Sequence, residues 1–171
     1  MGAKKISLPK IEGKKLKFMK LLHLLFVSIW TGGTVVSLIL LLKLCNAATE
    51  SEFYNTVFLL KTIARDVILA GGFATVVLGL VYSLFTKWGF VKYRWVLVKW
   101  VLTIAVFRLT APMYMDYFDK MQSLVMADGM SSLSTMPYFN WQFLLIGVQM
   151  ATILLMFVLS VYKPKLKKAV G

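Results

Sequence analysis

Four long apolar runs, at residues 18 to 42, 58 to 85, 95 to 115 and 140 to 162, constrain this chain more than any other feature. Each is long enough, as a helix, to cross a hydrocarbon core of about 30 Å, which takes about 20 residues at a rise of about 1.5 Å. The stretch from Val35 to Leu42 has none of the alternating polarity of a barrel strand. The runs therefore predict an all-α integral membrane protein, a four-transmembrane-helix antiparallel bundle. Composition agrees: 59% of residues are hydrophobic and 16% charged, where soluble domains carry about 25% charge.

The charges around the runs set an orientation. The first twenty residues hold Lys4, Lys5, Lys10, Lys14, Lys15, Lys17 and Lys20; the second loop holds Lys87, Lys92 and Arg94; the tail holds Lys163, Lys165, Lys167 and Lys168. These are fourteen of the twenty basic residues, and up-down connection puts them all on one side. Six of the seven acids lie on the other side or just within it. The positive-inside rule then predicts a multi-pass protein of the inner, cytoplasmic membrane with both termini cytoplasmic. Residues 1 to 17 are expected to be a basic cytoplasmic extension, 18 to 162 the membrane domain and 163 to 171 a basic cytoplasmic tail. This distribution accounts for the net charge of +13 through topology and attraction to anionic lipid, and excludes nucleic acid as a partner. The first run exceeds a signal peptide's core and is followed by three more, so it is expected to stay in place.

One cysteine, Cys45, excludes an internal disulfide, and one histidine, His23, excludes zinc motifs built on several His ligands and any bis-His haem site within a single chain. Ionisable groups inside the runs are costly in lipid and so mark candidate function. On the first helix, turns of about 100° per residue place Trp30, Thr34 and Ser37 on the stripe of His23. The third aligns Lys99, Thr103, Val106 and Thr110, and the fourth carries Gln142 and Gln149 one heptad apart. On the second, Gly71, Thr75, Gly79 and Ser83 form a small-residue seam that admits another helix or a flat ligand. His23 falls about 8 Å and Lys99 about 6 Å inside the cytoplasmic boundary, so both belong to one layer. A protonated Lys beside an imidazole favours the neutral ring, able to accept a proton or bind a metal, while the Lys is able to receive an anionic group. Towards the other boundary, Asp66 and Arg108 are expected to form a structural charge pair, with Arg65 as the alternative partner for Asp66.

The run from Lys20 to Gly33, KLLHLLFVSIWTGG, resembles the first helix of the four-helix bacterial protoporphyrinogen oxidase superfamily, which also includes copper-resistance D-like proteins. That family has a His, a Trp one heptad later and Gly soon after. Its third helix carries a Lys in a Trp-rich setting, similar to Tyr93 to Trp100, YRWVLVKW, in this chain. After the glycines the oxidases continue with a Pro-Arg motif where this chain has Thr34 and Val35, so the likeness is closer to the superfamily's uncharacterised members. The resemblance implies that His23 ligates b-type haem and that Lys99 is its functional partner.

The leading expectation is thus a haem b-binding membrane protein with a redox role, a possible haem-dependent oxidoreductase. His23 would be the axial ligand to iron, Lys99 would serve a propionate or substrate carboxylate, and Trp30, Gly32 and Gly33 would frame the pocket. The other axial position would fall to a Met, to water or to His23 of a second protomer. Beside the lipid bilayer, a homodimer or larger membrane complex is the expected partner. Two other classes compete: a helper subunit packing through the Gly71, Thr75, Gly79, Ser83 seam, and an oligomeric carrier or channel.

Overall fold

The computed structural model describes residues 10–86, 93–135 and 139–163, with the side chains of 111–115, 133–135, 139 and 140 left aside. Most of the expected basic extension, much of the basic loop and nearly all of the tail lie outside the described residues. Helix α1 spans Gly13–Cys45. Helix α2 (Glu50–Thr62), a π-helical stretch (Ile63–Leu69) and α3 (Ala70–Phe85) follow one another as a continuous rod. Helix α4 spans Arg94–Asp128, a 3-10 segment covers Met130–Thr135, and α5 spans Phe139–Tyr162.

The fold is all-α. Among the described residues three helices are long and apolar enough to cross a membrane: Gly13–Cys45, Glu50–Phe85 and Trp141–Tyr162. Helix α4, with 35 residues, has the length but is not one of the three; it carries Lys99 and Arg108.

Two rods outrun, by two turns or more at one end, the apolar runs that announced them. The second begins at Glu50 because Thr49 caps it, its hydroxyl accepting from the Glu52 N–H at 3.2 Å while the Glu52 carboxylate accepts from the Ala48 N–H at 3.0 Å. Glu50 and Glu52 also suit the positive end of the helix dipole. The third continues to Asp128 and stops at Gly129, whose φ of +76° lies in a region L side chains rarely adopt.

The added turns build the larger of two apolar clusters. Phe53, Val57, Leu60 and Ala64 meet Leu41 and Leu44 of α1, Tyr117, Phe118, Met121 and Val125 of α4, and Ile146 of α5. A smaller cluster, Trp30, Val106 and Ile153 with Ile68, Phe107, Met156 and Phe157 against it, lies nearer the termini. At that end the Ile11 N–H donates to the Phe85 carbonyl at 2.8 Å, and Lys99 at the start of α4 bonds Ser160 at the end of α5. The start of α1, end of α3, start of α4 and end of α5 therefore share one end, here called the basic end. Outward-facing apolar residues such as Leu21, Phe73, Val101 and Leu154 present the surface a lipid environment suits.

Candidate functional site

The basic end contains the convergence expected of His23 and Lys99. His23 turns towards α3, where its Cε1 would stand 3.5 Å from a Cβ placed on Gly79; the absence of that Cβ makes room for the imidazole. Its Nδ1 is buried without a hydrogen-bond partner, and the backbone of Thr75 lies within polar reach of the ring. Lys99 comes near enough for its charge to act on that ring. The ammonium is held from two further sides, bonding the Ser160 hydroxyl oxygen and standing 5.5 Å from the centre of the Trp95 ring.

The hydrogens around Lys99 are consistently placed. Ser160 donates to the Met156 carbonyl at 2.7 Å, so its oxygen lone pairs are free to accept from Lys99. Thr103 donates to the Lys99 carbonyl at 2.8 Å and stands 3.4 Å from the Met156 sulfur. Ser160 and Trp95 were not foreseen as parts of this layer. A signal existed for Ser160: eleven residues beyond Gln149 is three helical turns, within about 20° of the same face.

Chemically, the layer offers one imidazole and one ammonium. Among the described residues no three His, Cys, Asp or Glu side chains gather to hold a bare metal ion. A single imidazole suits a metal already held by a macrocycle, which needs one axial nitrogen and cations for its carboxylates.

The expected frame of the pocket is arranged differently. Trp30 is buried with its ring 5.5 Å from that of Phe107. A Cβ on Gly33 would fall 2.9 Å from Ile68 Cγ1 and 3.0 Å from Val67 Cγ1, so this glycine seats side chains of the π-helical stretch. Gly32 is exposed and would meet nothing within 4 Å. The two glycines thus do not border one slot, and the level of Trp30 is filled by packing. The seam of α3 has the same role. A Cβ on Gly71 would lie 3.1 Å from both Ile29 Cγ2 and the Trp30 nitrogen, Thr75 donates to the Gly71 carbonyl at 2.8 Å, and Gly79 faces His23. Gly71, Thr75 and Ser83 are buried. This seam receives α1, its own chain neighbour, which removes the surface the helper-subunit reading relied on.

The expected pair of Asp66 with Arg108 is not formed among the described residues. The Asp66 carboxylate lies 3.9 Å from Arg65 Nε, and Asp66, Arg65 and Arg108 are all exposed. The wider π-helical turn places Asp66 outwards, and Arg108 lies half a helical revolution from Lys99, on the outer face of α4. Among the described residues an ion pair between Lys61 and Asp119 joins two helices, supported by Gln122 at 3.4 Å. It was missed because Asp119 falls beyond the third apolar run.

Further from the basic end the interior is polar again. Thr34 donates to the Trp30 carbonyl at 3.0 Å and accepts from Gln149 Nε2 at 2.8 Å. With the Thr34 hydrogen spent on that carbonyl, the Gln149 amide can approach only nitrogen first, which fixes its orientation. Its Oε1 then has no partner, and neither do Gln142 Oε1, Ser37 Oγ and the Tyr117 hydroxyl, all buried. Each such group costs about 1–3 kcal/mol if left unsatisfied.

Compared with models of protein families, with curated proteins and with solved structures, the chain matches none.

Proposed function

We propose that this is a haem b-binding membrane protein with a redox role, in which His23 supplies an axial nitrogen and Lys99 an electrostatic anchor for a propionate or substrate carboxylate. The observation that carries the reading is the buried, partnerless Nδ1 of His23 beside a lysine oriented by Ser160 and Trp95. Neutral imidazole offers a lone pair and a ring N–H, and the ammonium offers charge without competing as a ligand. Haem, when bound, supplies one-electron chemistry that none of these side chains provides. The residues fit this group as ligand and cation; Trp30, Gly32 and Gly33 do not provide its slot, so the reading rests on His23 and Lys99 alone.

In the same reading α4 is the fourth span, both termini face the cytoplasm and the membrane is the inner one, as the distribution of basic residues favours. In a Cys45→Ser background, a membrane-impermeant thiol reagent added to intact cells should label Asp128→Cys and spare Lys165→Cys. The reverse pattern overturns the orientation.

The test of function is a visible spectrum of the detergent-purified full chain expressed with ample haem. A Soret band and a reduced α band are expected. His23→Ala should abolish the Soret band while helicity and expression persist; Lys99→Met should retain the band at lower occupancy, because it removes a cation and not a ligand. A colourless wild type, or full haem retention in His23→Ala, overturns the assignment.

A further inference from the structure

The interior beyond Trp30 has a feature that haem binding does not use. Ser37, Gln142, Gln149 and Tyr117 are each at most 9% exposed, and each carries a buried polar atom without a partner. Their heights follow from the Thr34–Gln149 hydrogen bond, which sets α1 and α5 in register. Moving away from the basic end, Ser37 lies about 4.5 Å beyond Thr34, and Gln142 about 10.5 Å beyond Gln149. Leu41, seven residues beyond Thr34, stands at the height of Gln142 and shares a cluster with Tyr117. The unpartnered atoms thus rise in steps along one half of the bundle and do not gather at one point. On the basic side the series meets Trp30, Val106 and Ile153, which are apolar and closed.

Ser37 sharpens the observation. Thr31, Thr34, Thr75, Thr103, Thr110 and Ser160 each donate to the carbonyl four residues earlier, which any helical hydroxyl can do. The Ser37 oxygen forgoes that local bond and has no other. Buried amide and hydroxyl groups of this kind are ordinarily satisfied by internal water, which makes about three hydrogen bonds to such groups.

We propose that bound water forms an internal file along this half of the bundle, from Tyr117 and Gln142 past Ser37 to Gln149, and stops at the Trp30 cluster. The ligand is water, held by neutral amides, hydroxyls and one phenol. The file is independent of haem at His23.

Radiolytic hydroxyl-radical labelling of the full chain in lipid nanodiscs, read by mass spectrometry, tests it, because bound water generates radicals in place and labels buried neighbours. Tyr117 should be labelled about ten-fold faster than Phe53 after correction for intrinsic reactivity, although both are buried in one cluster. Gln142→Leu should slow Tyr117 several-fold and leave Phe53 unchanged. Tyr117 as slow as Phe53 in the wild type means a dry interior and overturns the proposal. Unchanged Tyr117 labelling in folded Gln142→Leu overturns the file, leaving local contact with bulk solvent. If Phe53 labelling rises in the variant, it has unfolded, and the wild-type comparison decides alone.

Discussion

The two ends of this bundle are built on opposite terms. At the end away from the termini, Leu41, Phe53, Val57, Leu60, Phe118, Met121 and Ile146 have no exposed surface at all. At the basic end, below Trp30, Val96 is the one buried apolar side chain among the described residues, and it keeps 6% of its surface exposed, while His23, Lys99, Thr103 and Ser160 occupy the shared interior. Close apolar packing supplies stability roughly in proportion to area removed from water, whereas the half-buried polar layer at the basic end contributes less of it. The difference teaches that the packing that holds the helices together is concentrated away from His23 and Lys99, so damage to one region should be measurable without damage to the other.

The largest effect should come from the packed end. Phe53→Ala is expected to lower stability by about 3–5 kcal/mol, because a fully buried aromatic leaves a cavity that its neighbours only partly fill. Exposed Leu25→Ala should stay within about 0.5 kcal/mol. Reversible denaturation followed by helicity measures both, and a similar loss in the two would abolish the distinction between the regions. Next in size is the pair of adjacent glycines. Gly33→Leu must displace Ile68 and Val67 and should cost about 1–3 kcal/mol. Gly32→Ala, free of neighbours within 4 Å, should gain about 0.5–1 kcal/mol by helix propensity.

The smallest effects belong to the exposed charges. Lys61→Met should cost about 0–1 kcal/mol, and less as salt is added, since the Asp119 side chain is 63% exposed. Asp66→Asn and Arg108→Met should add to within about 0.5 kcal/mol, because the two side chains do not pair. A larger coupling would reinstate the pair expected from sequence.

What the sequence made legible follows from how each signal is encoded. Apolar length located all four long helices, and angular spacing put Trp30, Thr34, Ser37, Gln142 and Gln149 inside, where each is buried. The rise per residue brought His23 and Lys99 to one level. Helix ends were lost where polarity was taken for a loop: Glu50, Glu52, Asp119 and Lys120 hide the spacing of Phe53, Val57 and Leu60, and of Phe118, Met121 and Val125, which continue the helical pattern. Asp66 could not be placed by counting turns, because a π-helical stretch breaks the 3.6-residue period where it stands. The unlike positions of Gly32 and Gly33 depend on Val67 and Ile68, whose nearness is tertiary and leaves no trace in the local pattern.

The rod from Glu50 to Phe85 is 36 residues long, about 54 Å, against a hydrocarbon thickness of about 30 Å. Its surplus turns are tied into the larger of the two apolar clusters and not left as solvated ends. A bundle made this way carries its own clamp in the packing of those turns, so its helices are held together at that end by side chains of the protein itself. Thinning or thickening the bilayer by a few ångströms changes which turns are wetted but leaves the clamp unstrained. Thermal midpoints in short-chain and long-chain phosphatidylcholine should accordingly differ less than for a bundle whose helices end at the headgroups.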